Sequence, residues 1–218
     1  MTVATKYLLQ QGNGWCGSML KHAMPWHQQY ANRHNMVYVA HLGSWPVKNC
    51  GRKPRKPEWQ KPPFILNWLD QSSPGDILVY LDTDAVIVRP EDDLTFALPE
   101  GYDIGMVKAR YCKSEFYNCG MVVMRNNRVT RDFWQLIDEM GPGIGLHAHD
   151  EGRLNKVIKD GHEIVVCDLP GEYNACNYTS FDKDRVIVQA WHGIPRDTAE
   201  RRVKETVWQL SKQTSPLV

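Results

Sequence analysis

Apolar and polar positions switch between two periods along the first two thirds of the chain, and the switching predicts strands and helices in turn. Residues 5–11, TKYLLQQ, read as a first strand, with a glycine-containing loop expected over Gly12–Gly17. Met19, Ala23, Trp26 and Tyr30 then recur at spacings of four, three and four, the stripe of an amphipathic helix in which Pro25 predicts a kink. VYVAHL, 37–42, is the second strand. The stretch 43–63 holds RKPRK at 52–56 among prolines, which predicts an extended basic loop, either solvated or touching an acceptor. Pro62 and Pro63 suit the first turn of a helix that buries Phe64, Ile65, Trp68 and Leu69 and stops within Ser72–Gly75.

DILVYLDTDAVIV, 76–88, has the clearest strand pattern. The near-continuous run Ile77–Leu81 fits a strand covered on both faces of a parallel sheet. Two aspartates interrupt it before AVIV; they belong at or just beyond the strand's carboxyl end, the edge where open α/β sheets bind ligands. YDIGMVKA (102–109) and CGMVVMRN (119–126) are further strands. Phe133, Leu136, Ile137 and Met140 mark a helix, and Leu154, Val157 and Ile158 another that opens near Asp150. EIVVCDL (163–169) and RVIVQAW (185–191) are short strands, and Val203, Val207 and Leu210 lie on a final helix before a loose tail. This order predicts an α/β fold, a mostly parallel central sheet flanked by helices.

Composition narrows the class. At 218 residues the chain is one domain with additions, and 42% apolar with 23% charged residues is a globular balance. Lys plus Arg against Asp plus Glu, 26 − 25, leaves +1, so no net field recruits nucleic acid or membrane. No run is long enough to span a bilayer and the start lacks a signal-peptide pattern, which predicts a cytoplasmic protein, in a host's cytoplasm if the source is viral. The six cysteines are scattered without a CxxC pair and are expected as free thiols, with no zinc cluster.

Chemistry concentrates at Asp82-Thr83-Asp84. Residues i and i+2 of an extended segment point the same way, so both carboxylates can converge on one hard cation, and oxygen donors select Mg²⁺ or Mn²⁺. Such a cation neutralises charge on a departing diphosphate.

LVYLDTDAVIVRP (78–90) resembles the DxD segment of nucleotide-sugar glycosyltransferases with the GT-A fold. Three more segments follow in that family's order. YNCGMVVMRNN (117–127) is similar to its Asn-x-Gly loop and following strand, HDEGRLNKVI (149–158) to its acidic segment opening a helix, and WHGIPR (191–196) to its C-terminal histidine segment. The resemblance implies a GT-A fold over 1–218, with 1–90 as the nucleotide-binding half, 91–200 as the sugar and acceptor half, and 201–218 as a C-terminal helix and tail. It implies His192 as third metal ligand beside Asp82 and Asp84. In many members the glycine and lysine stand three and six positions after that histidine; here Gly193 follows at once and the nearest cation is Arg196, the candidate diphosphate clamp.

Asp150 and Glu151 occupy the segment where the family keeps its catalytic or sugar-orienting acid, while Asp150 reads equally as a helix cap. Asn118 and Gly120 could set an amide and bare backbone beside the sugar, or simply form a turn. Lys61 matches a position where related enzymes keep a cation before the DxD strand, and is with Arg196 a candidate to neutralise donor phosphate. Gln10 and Thr83, at strand ends by the nucleotide pocket, are candidates for base and ribose contacts, and Trp191 and Gly193 flank the histidine, the indole suited to stacking on a sugar.

The expectation is a glycosyltransferase using Mn²⁺ or Mg²⁺ to move a sugar from a nucleoside diphosphate, UDP first, to a hydroxyl of a glycan, a protein or a modified nucleic-acid base, with stereochemistry open. Two rivals remain. A nucleotidyltransferase would carry a Gly-rich basic loop after the first strand, but Gly12-Asn13-Gly14 leads into Trp15-Cys16 with no nearby Arg. A non-catalytic glycan-binding or scaffolding module would not need both aspartates, the acidic pair and the histidine.

Overall fold

A computed structural model describes residues 4–45, 57–111, 114–141, 150–176, 187–189 and 195–213. Strand β1 (Lys6–Gly12) leads into helix α1 (Gly14–Arg33), then β2 (Met36–Leu42), helix α2 (Lys61–Gln71) and β3 (Ile77–Leu81). A short β4 (Ala85–Ile87) precedes β5 (Ile104–Tyr111), β6 (Ser114–Arg125), helix α3 (Arg128–Met140) and helix α4 (Asp150–Lys159). Strands β7 (Val166–Leu169), β8 (Ala175–Cys176) and β9 (Ile187–Gln189) and helix α5 (Arg196–Gln213) complete the order.

The main sheet runs β2-β1-β3-β6-β5-β7, with β6 antiparallel to both its neighbours and the other pairs parallel. The mostly parallel α/β architecture read from the sequence is therefore the observed one. Its ligand edge is the carboxyl end of β1 and β3, which β6 enters from outside. In β3, Leu78 and Tyr80 pack with α2, α3 and α4, while Ile77, Val79 and Leu81 pack on the opposite face with Leu8, Tyr30 and Met121. Cover on both faces is why this strand has no polar position. A second small sheet, β4-β9-β8, lies beside a third apolar cluster where Met19, Ala23 and Trp26 of α1 meet Val203 and Leu210 of α5.

Four local expectations are corrected. No loop spans Gly12–Gly17, because α1 opens at Gly14 and bare Gly17 packs on the end of β1: a Cβ there would lie 3.2 Å from the Gly12 carbonyl oxygen. The basic loop ends earlier than residue 63, at a 3-10 turn over Pro57–Gln60 and the start of α2 at Lys61; RKPRK itself lies outside the described residues. Asp82-Thr83-Asp84 is not extended. The chain turns there, with Ala85 N–H donating to the Asp82 carbonyl at 3.1 Å, because β4 belongs to the second sheet. Asn118 and Gly120 lie within β6 rather than in a loop, since Asp82 N–H donates to the Gly120 carbonyl at 2.8 Å and extends the pairing of β3.

Candidate functional site

The site grows from the end of β3. Three bonds hold the Asp82 backbone. Its N–H donates to Gly120, its carbonyl accepts from Ala85, and the Gln10 amide donates to the same carbonyl at 3.3 Å. Gln10 lies on β1 with no exposed surface, and its own carbonyl accepts from the His27 ring at 2.8 Å and from the Tyr38 hydroxyl at 2.8 Å. Ile87 N–H donates to the other His27 ring nitrogen, Nε2, at 3.3 Å. His27 Nδ1 must then carry the proton that Gln10 accepts, which fixes a neutral imidazole, and full burial pushes its pKa down to about 3. This network ties α1, β1, β2 and β4 to one peptide of the aspartate turn. Gln10 thus supports the turn from beneath and offers no surface to a base, a correction to its expected role.

Lys61 opens α2 and reaches Asp82 from the side. Its ammonium sits 2.8 Å from Asp82 Oδ1, 3.1 Å from the Cys119 carbonyl and 3.3 Å from Cys119 Sγ, and 5.2 Å above the Tyr80 ring. Gln60, just before it, accepts from Gln11 of β1 at 3.0 Å and from Trp45 N–H at 2.8 Å, which anchors the helix start to the sheet edge. Lys61 is 4% exposed and Asp84 4%, whereas the Asp82 side chain is 27% exposed. Thr83 is buried against β1; a Cβ on Gly12 would come within 2.6 Å of its methyl carbon. Asp82 is thus the partly exposed carboxylate of the turn and Asp84 the buried one; carboxylate oxygens are donors that suit a hard divalent ion, but among the described residues no group of three or more His, Cys, Asp or Glu is placed to hold one.

Across the β5–β6 pair the register jumps from Met106↔Val122 to Val107↔Asn118, leaving Cys119, Gly120 and Met121 bulged toward β3. Asn118 Oδ1 accepts from Gly120 N–H at 2.9 Å and from the Asn174 amide. Behind the bulge, Asn155 of α4 clamps β6: its Oδ1 accepts from Tyr117 N–H at 2.6 Å, and its amide donates to the Tyr117 and Glu151 carbonyls, each at 2.8 Å. Glu151 is thereby held one helical turn from β6. Asp150 opens α4, but its side chain lies outside the described residues.

Trp191, His192 and Gly193 also lie outside the described residues. Arg196, exposed at the start of α5, stacks its guanidinium on Trp15 of α1 with 5.1 Å to the ring centroid. Cys16, Cys119 and Cys167 are not joined in disulfides. Among the described residues no helix is long and apolar enough to cross a membrane. The residues that the sequence reading missed are His27, Tyr38, Asn155 and Asn174. The available signals were a histidine beside the apolar stripe of α1, a tyrosine inside a strand, and the asparagine ending DEGRLN.

No protein-family model and no curated protein matches the sequence. Solved structures do match: a glycosyltransferase involved in the glycosylation of the major capsid of PBCV-1 superposes with a TM-score of 0.70 over 92% of this chain and 99% of that one, at 9% identity. The chain has the GT-A fold. Other GT-A neighbours are the galactosyltransferase LgtC in complex with donor and acceptor sugar analogs (TM-score 0.51, 13% identity, 98% of each chain) and apo GlyE of Streptococcus pneumoniae TIGR4 (0.56, 13% identity, 97% of this chain and 64% of GlyE). The turn after β3 stands at the carboxyl end of that strand, the edge at which open α/β sheets in general bind ligands.

Proposed function

We propose that the chain is a metal-dependent glycosyltransferase that moves a sugar from a nucleoside diphosphate, UDP in the first instance, to an acceptor hydroxyl. The observation that carries this reading is the Asp82-Thr83-Asp84 turn at the end of β3, whose Asp82 backbone is held by Gln10 and Gly120 and whose Asp82 carboxylate lies 2.8 Å from the Lys61 ammonium. The GT-A fold, and the donor and acceptor sugar analogs bound to the neighbour LgtC, support it. Asp82, Asp84 and His192 would hold Mn²⁺ or Mg²⁺, which when bound stabilises charge on the leaving diphosphate.

The chain's own residues do the rest. Gly120 and Asn118 set main chain and an amide beside the donor sugar, Thr83 packs the turn against β1 beside the nucleotide, and Arg196 with Trp191 and Gly193 completes the donor face. In the transfer the bond from sugar C1 to the diphosphate oxygen breaks and a bond from C1 to the acceptor oxygen forms. The acceptor proton passes to Asp150 or Glu151 if the product is inverted, and to the leaving diphosphate if configuration is retained.

The test is product analysis and thermal unfolding together. Incubation with UDP-sugars and Mn²⁺ is expected to release UDP; release of pyrophosphate would instead indicate nucleotidyl transfer. Mn²⁺ with UDP at 100 times its dissociation constant adds about 2.7 kcal/mol and raises the midpoint by roughly 5–11 °C. No shift with any nucleotide of the UDP, GDP, CDP and dTDP set would leave only a binding module.

A further inference from the structure

Lys108 of β5, Tyr117 of β6 and Asp168 of β7 form a polar cluster that the donor side does not use. Lys108 Nζ donates to Asp168 Oδ2 at 2.6 Å, the Tyr117 hydroxyl donates to Asp168 Oδ1 at 2.6 Å, and the ammonium lies 5.2 Å from the Tyr117 ring centroid. Lys108 and Asp168 are exposed, with side chains at 42% and 54%. The bond to Asp168 raises the Lys108 pKa. Partial desolvation raises that of Asp168, but bonds from Lys108 and Tyr117 outweigh it and hold the carboxyl below its ordinary value, so both groups are charged at neutral pH. An exposed pair of this kind contributes little to stability.

Position gives the cluster its meaning. Tyr117 packs with the cluster of Met106, Leu154 and Val157 on the sheet face that carries α2 and α4; Lys108 stands two residues from Met106 and opposite Tyr117, and Asp168 is the register partner of Met106, so all three share that face with Lys61. Gly120 pairs with Asp82, and Tyr117 lies farther along β6 beyond the end of β3. The strand rise and spacing put it about 9–11 Å from Asp82. That is the reach of a diphosphate and one hexose. The Asn155 clamp also ties the Tyr117 backbone directly to the Glu151 turn of α4.

We infer that Lys108, Tyr117 and Asp168 form the acceptor subsite and that the acceptor is a saccharide, whose hydroxyls meet Asp168 and Lys108 while a ring face lies against Tyr117. This inference rests on the glycosyltransferase reading. A carboxylate, an ammonium and an aromatic edge arranged on rigid strands match vicinal hydroxyls and the apolar face of a pyranose. The carboxylate at its centre would repel a nucleic-acid backbone.

The experiment is saturation-transfer NMR on the full chain with Mn²⁺ and UDP, using the methyl α- and β-glycosides of glucose, galactose, xylose and N-acetylglucosamine as probes. At least one glycoside is expected to bind, with its affinity falling tenfold or more in Asp168→Asn and in Tyr117→Ala and holding in Lys156→Ala, which breaks a comparably exposed ion pair on α4. Asp168→Asn keeps the test valid should Tyr117→Ala fold poorly. Glycoside binding unchanged in Asp168→Asn, or no glycoside bound by protein that binds Mn²⁺ and UDP, overturns the subsite. Failure to bind Mn²⁺ and UDP at all overturns the glycosyltransferase reading itself, and the subsite with it.

Discussion

Replacing Lys61 with methionine separates two roles that a cation beside the aspartate turn can have. Lys61 is 4% exposed and its ammonium lies 2.8 Å from Asp82 Oδ1, so Lys61→Met keeps the stem's volume but leaves a carboxylate only 27% exposed without this partner and removes a donor from the Cys119 carbonyl. Breaking a buried pair by deleting one member costs about 3–5 kcal/mol, and the partial exposure of Asp82 places the loss near the lower end, about 3 kcal/mol. For a chain of this length that lowers the unfolding midpoint by about 6–12 °C, read by differential scanning calorimetry without metal. Because the variant removes a positive charge from beside the turn, Mn²⁺ should bind it more tightly than the parent and restore a larger share of its stability. A midpoint loss under about 2 °C would mean that the ammonium is solvated. Unchanged Mn²⁺ affinity with weakened UDP binding would refute the pairing argument and return Lys61 to the role of a diphosphate clamp.

Gly12→Ala places a methyl group 2.6 Å from Thr83 Cγ2 and 3.1 Å from the Cys16 carbonyl, so the Thr83 side chain or the turn that carries it must shift; urea unfolding should show a loss of about 1–3 kcal/mol, accompanied by weaker Mn²⁺ binding. His27 is held neutral in the fold with its pKa near 3, against an unfolded value of about 6.5, so the unfolded chain binds the extra proton between these values. Its contribution is therefore complete above pH 6.5 and falls by up to about 1.4 kcal/mol per pH unit below it, a slope that His27→Gln should abolish in urea titrations at pH 4.5, 5.5 and 7.5. Asn155→Ala frees the Tyr117 N–H and two carbonyls; it should cost about 2 kcal/mol, speed amide exchange at Tyr117, and lower kcat for transfer more than for donor hydrolysis.

Elements with both a clean period and a clear boundary were legible from sequence. ILVYL declares a strand covered on two faces, and Pro62-Pro63 ahead of Phe64 and Ile65 declares a helix start. Where one residue type serves two purposes, reading failed. Gly12, Gly14 and Gly17 read as a loop, yet Gly17 allows α1 to close on the end of β1. AVI continued the apolar run of β3, and nothing local announces that Ala85–Ile87 joins another sheet; only pairing with the distant Ile187–Gln189 decides that. Strand β8, two residues long, has no period to detect. The site divided the same way. Asp82 and Asp84 stand out in the sequence because charge at the end of a buried strand is conspicuous, and Lys61 as a lysine ahead of Pro62-Pro63, but the pairing of Lys61 with Asp82 depends on the Gln11–Gln60 and Cys119 contacts made by remote segments. Gln10 looked like a ligand contact because it is polar at a strand end; its partners His27 and Tyr38 come from two other elements.

The most direct test of the account measures nucleoside diphosphate release from UDP-, GDP-, CDP- and dTDP-sugars by the parent chain and by Asp84→Asn, with Mn²⁺ and with EDTA. The account predicts release from one nucleotide series, UDP first, that EDTA abolishes and that Asp84→Asn lowers by at least a hundredfold, about 2.7 kcal/mol of transition-state stabilisation. Release that persists in EDTA, or equal rates in the parent and Asp84→Asn, would contradict it.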